Sequence, residues 1–350
     1  MSVDLSKLAV KRKIAFDELN GRVVAIDAYN VLYQFLSIIR QPDGTPLMDS
    51  HGNVTSHLSG LFYRTIELVE HGIKPIYVFD GIPSMLKQKT IEARMHRREE
   101  ARTAWQKAKE AGELEEARTH AQQSSRVDRH IVESSKALLG LMGVPHVNAP
   151  SEGEAQASYM CAQGLAYAAA SQDYDTLLFG SKNVIRNLTL SGRRKLPKKN
   201  IYVNVEPELM NLEETLSSLG ITRQQLIWVG ILLGTDFNEG IKGVGPKTAL
   251  KIVKAAESID DIKKLVKDRY NAEFELDVTE VENLFTRPEV LDIDSTYMTN
   301  ALSSRADVEG TVHFMCDEHG FSTDRVTKYA EMLAKRQGSA RQSGISAWVR

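Results

Sequence analysis

Three short apolar runs in this chain stop at an acid, and that recurrence limits the fold more than any other feature. Arg22–Asp27 reads Arg-Val-Val-Ala-Ile-Asp, and Pro75–Asp80 reads Pro-Ile-Tyr-Val-Phe-Asp. Leu165–Ala170 leads into Ser-Gln-Asp-Tyr-Asp, which ends at Asp175. Apolar runs without polar alternation mark strands buried on both faces, as in a parallel sheet covered by helices. Acids placed where such strands end would lie at the sheet edge where α/β proteins bind ligands.

The segments between these runs carry helical spacing. Leu32, Phe35, Leu36 and Ile39 make an apolar stripe over 29–40. Residues 41–54 hold Pro42, Gly44, Pro46 and Gly52 and read as a loop, after which Thr55 or Ser56 can cap a helix to Glu70. Ser151–Gly164, between the pairs Glu152/Glu154 and Asp173/Asp175, reads as a buried helix. Residues 84–130 favour helix but hold few large apolar residues, so they are expected to project from the body. Apolar spacing returns from Val127 to Met142, with Gly143 as a stop, and short strands are expected at His146–Val147 and near Val184–Leu190. Residues 1–20 are expected to be a helical lead-in anchored by Leu5, Leu8 and Phe16, residues 207–234 to be helical, and residues 336–341 to be a polar linker. The fold class expected is α/β, with a central, mostly parallel sheet flanked by helices.

A net charge of −2 hides local asymmetry. Residues 83–109 hold eight Lys/Arg against three Glu, and residues 181–200 hold seven Lys/Arg and no acid. Basic stretches of this kind are either a nucleic-acid footprint or a solvated face. Cys161 and Cys316 have no metal spacing, and Cys161 reads as a small core residue, consistent with a reducing interior. No apolar run nears the roughly 20 residues of a membrane span, and the N-terminus lacks a signal-peptide centre. The expectation is a soluble, intracellular (cytoplasmic) protein.

Seven acids are candidate metal ligands: Asp27, Asp80, Glu152, Glu154, Asp173, Asp175 and Asp236. No His or Cys accompanies them at ligand spacing, so an oxygen-only set suits Mg²⁺ or Mn²⁺ rather than zinc. Two such ions about 4 Å apart would activate a water and stabilise the leaving oxygen of a phosphodiester. The plainer readings are a Ser151/Glu154 capping box and a solvated turn at Asp173–Asp175. Lys87 and Arg94 share a helix face, with Arg97 and Arg98 one turn on; they could hold a phosphate or pair with Glu92, Glu99 and Glu100. Tyr33 is either core packing or a platform for a base. Gly240–Lys247, Gly-Ile-Lys-Gly-Val-Gly-Pro-Lys, places Gly243, Gly245, Lys242 and Lys247 in tight turns before a helix, which suits contact with a DNA backbone. Gln342, Ile345 and Trp348 form a short anchor pattern for another protein, or an ordinary C-terminus.

The strand-ending acids, Ser-Glu-Gly-Glu-Ala, Asp-Tyr-Asp-Thr and Gly-Val-Gly-Pro-Lys-Thr-Ala together resemble the flap endonucleases of the structure-specific 5′ nuclease superfamily, most of all the archaeal members. The resemblance implies a 5′ flap endonuclease with 5′–3′ exonuclease activity, acting in Okazaki-fragment maturation and base-excision repair and leaving 5′-phosphates. It implies that the seven acids hold two Mg²⁺, with Mn²⁺ as a substitute. Lys87 and Arg94 would engage the scissile phosphate as catalytic residues, and Tyr33 would stack at the cleavage site. It implies one nuclease domain over 1–335, with an α/β core at 1–82 and 131–235. A helical arch would span 83–130, a helix–two-turn–helix element 236–260 with a K⁺ site, and C-terminal helices 261–335. Thr55 and the 41–55 loop would receive a 3′ flap. DNA with a 5′ flap, double flap or nick would be the substrate of a monomer. A flexible tail at 336–350 would bind a sliding clamp through Gln342, Ile345 and Trp348. Two departures stand out: Ser2 where the family has Gly, and Val349 where the clamp motif ends in an aromatic. The rival expectations are a silent junction binder that recruits the clamp and a phosphatase for small phosphoesters.

Overall fold

The structure, a computed structural model, describes residues 3–190, 192–195 and 202–346. Ser2, Trp348 and Val349 lie outside the described residues, as do the side chains of Gln342 and Ile345.

The main sheet has seven strands. They are β1 (Lys11–Lys13), β2 (Val23–Asp27), β3 (Lys74–Phe79), β4 (His146–Asn148), β5 (Ala168–Ala170), β6 (Asn183–Arg186) and β9 (Glu208–Asn211), in the order β1-β9-β6-β5-β2-β3-β4. A separate hairpin pairs β7 (Gly192–Lys195) with β8 (Tyr202–Val205). From β6 to β4 the pairing is parallel; β9 and β1 join antiparallel. The two-sided burial expected of these strands is visible residue by residue. Val24, Ile26, Tyr77 and Phe79 enter one core, while Ala25, Ile76 and Val78 enter another, as the period of two requires.

Helices α1 (Ala28–Ile38), α2 (Ser56–Glu70) and α5 (Arg129–Leu141) contribute to the first core. α6 (Gly153–Ala162) covers the opposite face, and Cys161 is buried within it. A third core joins α7 (Asp175–Leu178), α8 (Leu212–Leu219), α9 (Arg223–Leu233), α10 (Pro246–Lys254), α11 (Ile259–Tyr270) and α12 (Val278–Thr286). α13 (Ser295–Leu302), α14 (Val308–Val312) and α15 (Thr323–Ser346) complete the chain.

Several expectations are corrected. The described part of 1–20, residues 3–20, is not a helical lead-in. Leu5 and Leu8 are buried, but Lys11–Lys13 is an edge strand on β9 and only Phe16–Leu19 forms a 3₁₀ turn. Residues 207–234 are not all helical, because Glu208–Asn211 is β9, sandwiched between β6 and β1. The stretch 336–341 is not a linker but part of α15. No proline breaks that helix, and Gln337 fixes it by donating to the Met142 carbonyl (3.0 Å) and accepting from the Ala306 N–H (2.8 Å).

The polar segment forms α3 (Gln88–Glu110) and α4 (Leu114–Gln123), which pack on each other. Neither helix joins any of the three cores, yet the pair does not stand free. Trp105 Nε1 donates to the Asp43 carbonyl (3.1 Å), Lys109 pairs with Asp43 (2.9 Å), and Ser37 Oγ donates to the Gln122 carbonyl (3.3 Å). Gly44 permits the contact, since its φ is +84° and a Cβ there would lie 2.6 Å from that of Ala121. Gly240–Lys247 lies in the connection between α9 and α10 and runs into the start of α10.

The loop between α9 and α10 carries Asp236 and is held from behind by aromatic packing. Phe285 is fully buried against Phe179 (centroids 4.8 Å apart) and Phe237 (5.5 Å). Phe285→Ala is expected to destabilise the fold by about 3–5 kcal/mol, read as a lower denaturant midpoint.

Candidate active site

Asp27 closes β2 and caps α1, its Oδ1 accepting from the Asn30 N–H at 3.0 Å. Asp80 follows β3 and accepts from the Gly153 N–H at 2.7 Å. That approach needs a glycine, because a Cβ on residue 153 would lie 2.6 Å from Asp80 Oδ1. Glu152 is the N-cap residue of α6 and Glu154 lies in its first turn. The capping-box reading fails: no side chain caps α6, and Glu154 Oε1 instead accepts from Ser171 Oγ (2.6 Å) and Thr176 Oγ1 (3.1 Å). Asp173 accepts from Asn30 Nδ2 (3.3 Å), and Asp175, 2 % exposed at the start of α7, accepts from the Val3 N–H (3.2 Å). Asp236 follows α9.

The acids lie near enough to repel one another. Burial, then Asp80 and Asp173, pushes Asp27 well above the usual carboxylate range. Burial and Glu152 push Asp80 up to about 6, although Lys87 pulls it down. Glu154 is pushed well up by burial and by Asp173, Asp27 and Asp175. Asp175 is pushed up to about 8 by burial, Asp236 and Asp173. Every one of the seven appears in this chain of repulsions. Asp236 is held low: burial raises it, but Arg94 and Lys87 outweigh that.

The two cations come from the base of the polar segment. Lys87 donates to Glu152 Oε2 and lies 3.8 Å from Asp236, and Arg94 bridges both Asp236 oxygens at 2.6 and 2.8 Å. Burial lowers the affinity of Lys87 for its proton, but Glu152 and Asp80 more than restore it. The expected pairing of these cations with Glu92, Glu99 and Glu100 is therefore replaced, for Lys87 and Arg94, by pairing with the acid cluster. Arg98 stacks over Tyr33 at 4.7 Å, while Arg97 points to solvent. Tyr33 is half-buried and belongs to none of the three cores.

A divalent cation fits this donor set. All seven groups are carboxylates, burial and crowding disfavour the charge of Asp27, Asp80, Glu154 and Asp175, and Glu152 Oε1 is buried without a hydrogen-bond partner. As the side chains stand, no three acidic, His or Cys groups among the described residues close on a single ion position. Lys87 and Arg94 occupy part of the space between Glu152 and Asp236 instead.

Other sequence candidates lie apart. Thr55 is 3 % exposed and is the N-cap residue of α2, though its side chain makes no capping bond. Lys242, Gly243 and Lys247 are exposed between α9 and α10, where Gly243 has φ +87°, Gly245 is the N-cap, and no side chain caps α10. Beneath α3 a cavity of about 670 Å³ is lined by Arg40, Met95, Arg98, Arg102, Trp105 and Arg126, among others. Sequence reasoning missed the residues that orient the acids: Asn30, Ser171 and Thr176. Only the position of Asn30, three residues after a capping acid, could have pointed to one of them.

Sequence comparison agrees with this geometry. Residues 4–101 match the XPG N-terminal domain and residues 143–236 the XPG I-region. The fold is that of an XPG-type nuclease, an enzyme that hydrolyses DNA phosphodiester bonds. Flap endonuclease 1 of Pyrococcus furiosus is 50% identical over 351 residues, covering 100% of both chains. The solved flap endonuclease-1 of Methanococcus jannaschii is 40% identical with a TM-score of 0.73, covering 97% of this chain and 99% of its own. The catalytic core of Rad2 in complex with DNA substrate shares the fold at 22% identity and TM-score 0.67, covering 95% of this chain and 100% of its own. The chain belongs to the flap endonuclease 1 family.

The raised carboxyls make metal-free stability depend on pH. A carboxyl whose folded pKa exceeds its unfolded value stabilises the fold below the unfolded pKa, and that stability is lost as pH rises through the folded pKa. Buried His57, pulled down to about 3 by burial, acts in the opposite sense only below about 6.5. Between about pH 6.5 and 8 the acids dominate, with Asp175 near 8. Thermal unfolding in EDTA is therefore expected at lower temperature at pH 8 than at pH 6.5, and Mg²⁺ is expected to remove the difference.

Proposed function

We propose that the protein is a divalent-metal-dependent endonuclease that cuts 5′ flaps where a single strand leaves duplex DNA. It would also remove nucleotides from 5′ ends and leave 5′-phosphates. The observation that carries this reading is the joining of seven mutually repelling acids to Lys87 and Arg94, which rise from the base of α3.

The acids would hold two Mg²⁺ or Mn²⁺, which supply activation of water and neutralise charge on the leaving oxygen. Asn30 orients Asp27 and Asp173, while Ser171 and Thr176 orient Glu154, so the donors are set before substrate arrives. Lys87 and Arg94 exchange their carboxylate partners for the oxygens of the scissile phosphate and offset its growing charge. Tyr33, with Arg98 across its face, receives the base at the cut. The 5′ single strand passes through the arginine-lined cavity beneath α3. Lys242, Gly243, Gly245 and Lys247 lie against the backbone of the duplex, where a K⁺ ion would assist, and read no sequence. The C-terminal Gln342, Ile345 and Trp348 would engage a sliding clamp, which suits a role in Okazaki-fragment maturation and base-excision repair.

Asp175→Asn tests this. It removes one ligand and one repelling charge, so the fold should be no less stable. Cleavage of an end-labelled double-flap substrate in Mg²⁺ should fall at least about a hundredfold, with junction affinity unchanged within about threefold. Full cleavage by this variant would refute the site. A wild-type protein that binds the junction but cuts nothing in any divalent metal would instead be a silent binder.

A further inference from the structure

The two most exposed large apolar side chains among the described residues lie three residues apart, on the segment that joins Asp80 to Lys87. Ile82 is 82% exposed and Met85 is 84% exposed. They lie on the short loop between Asp80 and Lys87. Ile82 is two residues from Asp80, hence within about 7 Å of it along the chain. Met85 is two residues from Lys87.

This loop is pinned. The Gly81 N–H donates to the Ser151 carbonyl (2.7 Å) and the Ile82 N–H to the Pro150 carbonyl (3.0 Å), just ahead of Glu152. A Cβ on Gly81 would lie 2.2 Å from the Ala149 carbonyl oxygen, so the backbone there runs directly on that segment. At the other end Ser84 caps the turn, the Lys87 N–H donates to the Ser84 carbonyl (2.9 Å), and Leu86 packs into the third core. Ile82 and Met85 are therefore held outward by a fixed backbone, and burying neither helps the fold.

We propose that Ile82 and Met85 form an apolar seat for the nucleobase adjoining the scissile phosphate. They would act as positioning residues that set which nucleotide enters the acid cluster. The inference rests on the nuclease reading above. Two side chains are too few for a protein interface, which needs about 800 Å² per partner, but they match one base. Apolar side chains placed against base steps are a common way for proteins to hold a strand in register. Lys87, Arg94 and the acids take the scissile phosphate, Tyr33 takes the base on one side of it, and the loop takes the base on the other.

The test compares wild type with I82S/M85S and with I82L/M85L. Junction affinity is measured by fluorescence anisotropy in Ca²⁺ on a double-flap DNA, intact or with an abasic analogue at either nucleotide flanking the scissile phosphate. The serine pair should weaken binding of intact DNA about five- to tenfold, and the leucine pair should not. An abasic analogue at one of the two positions should cost wild type a similar factor and the serine pair less than twofold. Unchanged affinity in the serine pair, no abasic cost in wild type, or penalties that multiply independently would each overturn the proposal. If unaltered protein binds a flap no better than plain duplex, the nuclease reading itself has failed, and this shows before any variant is made.

Discussion

Everything at the centre of this molecule is arranged around the repulsion among seven carboxylates. Burial alone pushes Asp27, Glu154 and Asp175 towards their neutral forms, and each neighbouring acid pushes further. Such a grouping survives folding only because strong structure surrounds it. Strands β2 and β3, buried on both faces, deliver Asp27 and Asp80 to one edge. Backbone N–H groups of Asn30, Gly153 and Val3 accept part of the burden, and Lys87 and Arg94 more. The apolar layers on both sides of the sheet outweigh what remains.

Much of this was legible in the sequence, for an identifiable reason. Buried parallel strands are unbroken apolar runs, so β2, β3 and β5 announce themselves, and the acids that end them follow directly. β1 and β9 gave no such sign. Lys-Arg-Lys is an edge strand exposed along its length, and its partner Glu-Leu-Met-Asn lies about two hundred residues away, so nothing local marks the pairing. The same limit governed Glu154. Its neighbour Ser151 made a helix cap the natural local reading, and only the approach of Ser171 and Thr176 shows the carboxylate facing the cluster. The 336–341 segment was misplaced because contacts with distant elements, such as Gln337 on Met142, leave no pattern in the residues themselves.

The comparison between α3 and the rest of the chain shows how differently two kinds of helix are held. α1 and α2 are fastened by apolar stripes that water cannot loosen. α3 buries only Ala101 and Ala108. Its N-terminal end is tied through Arg94 to the acids, and its C-terminal end through Trp105 and Lys109 to the 41–55 loop.

Those two ties are unequal. The Arg94 contact is sheltered at Asp236, whereas Lys109 and Asp43 meet largely in water, where dissolved ions weaken attraction over about 10 Å at 0.1 M. Rising ionic strength thus weakens the Lys109–Asp43 tie before the Arg94–Asp236 one, leaving the far end of the helix held by the neutral Trp105 contact.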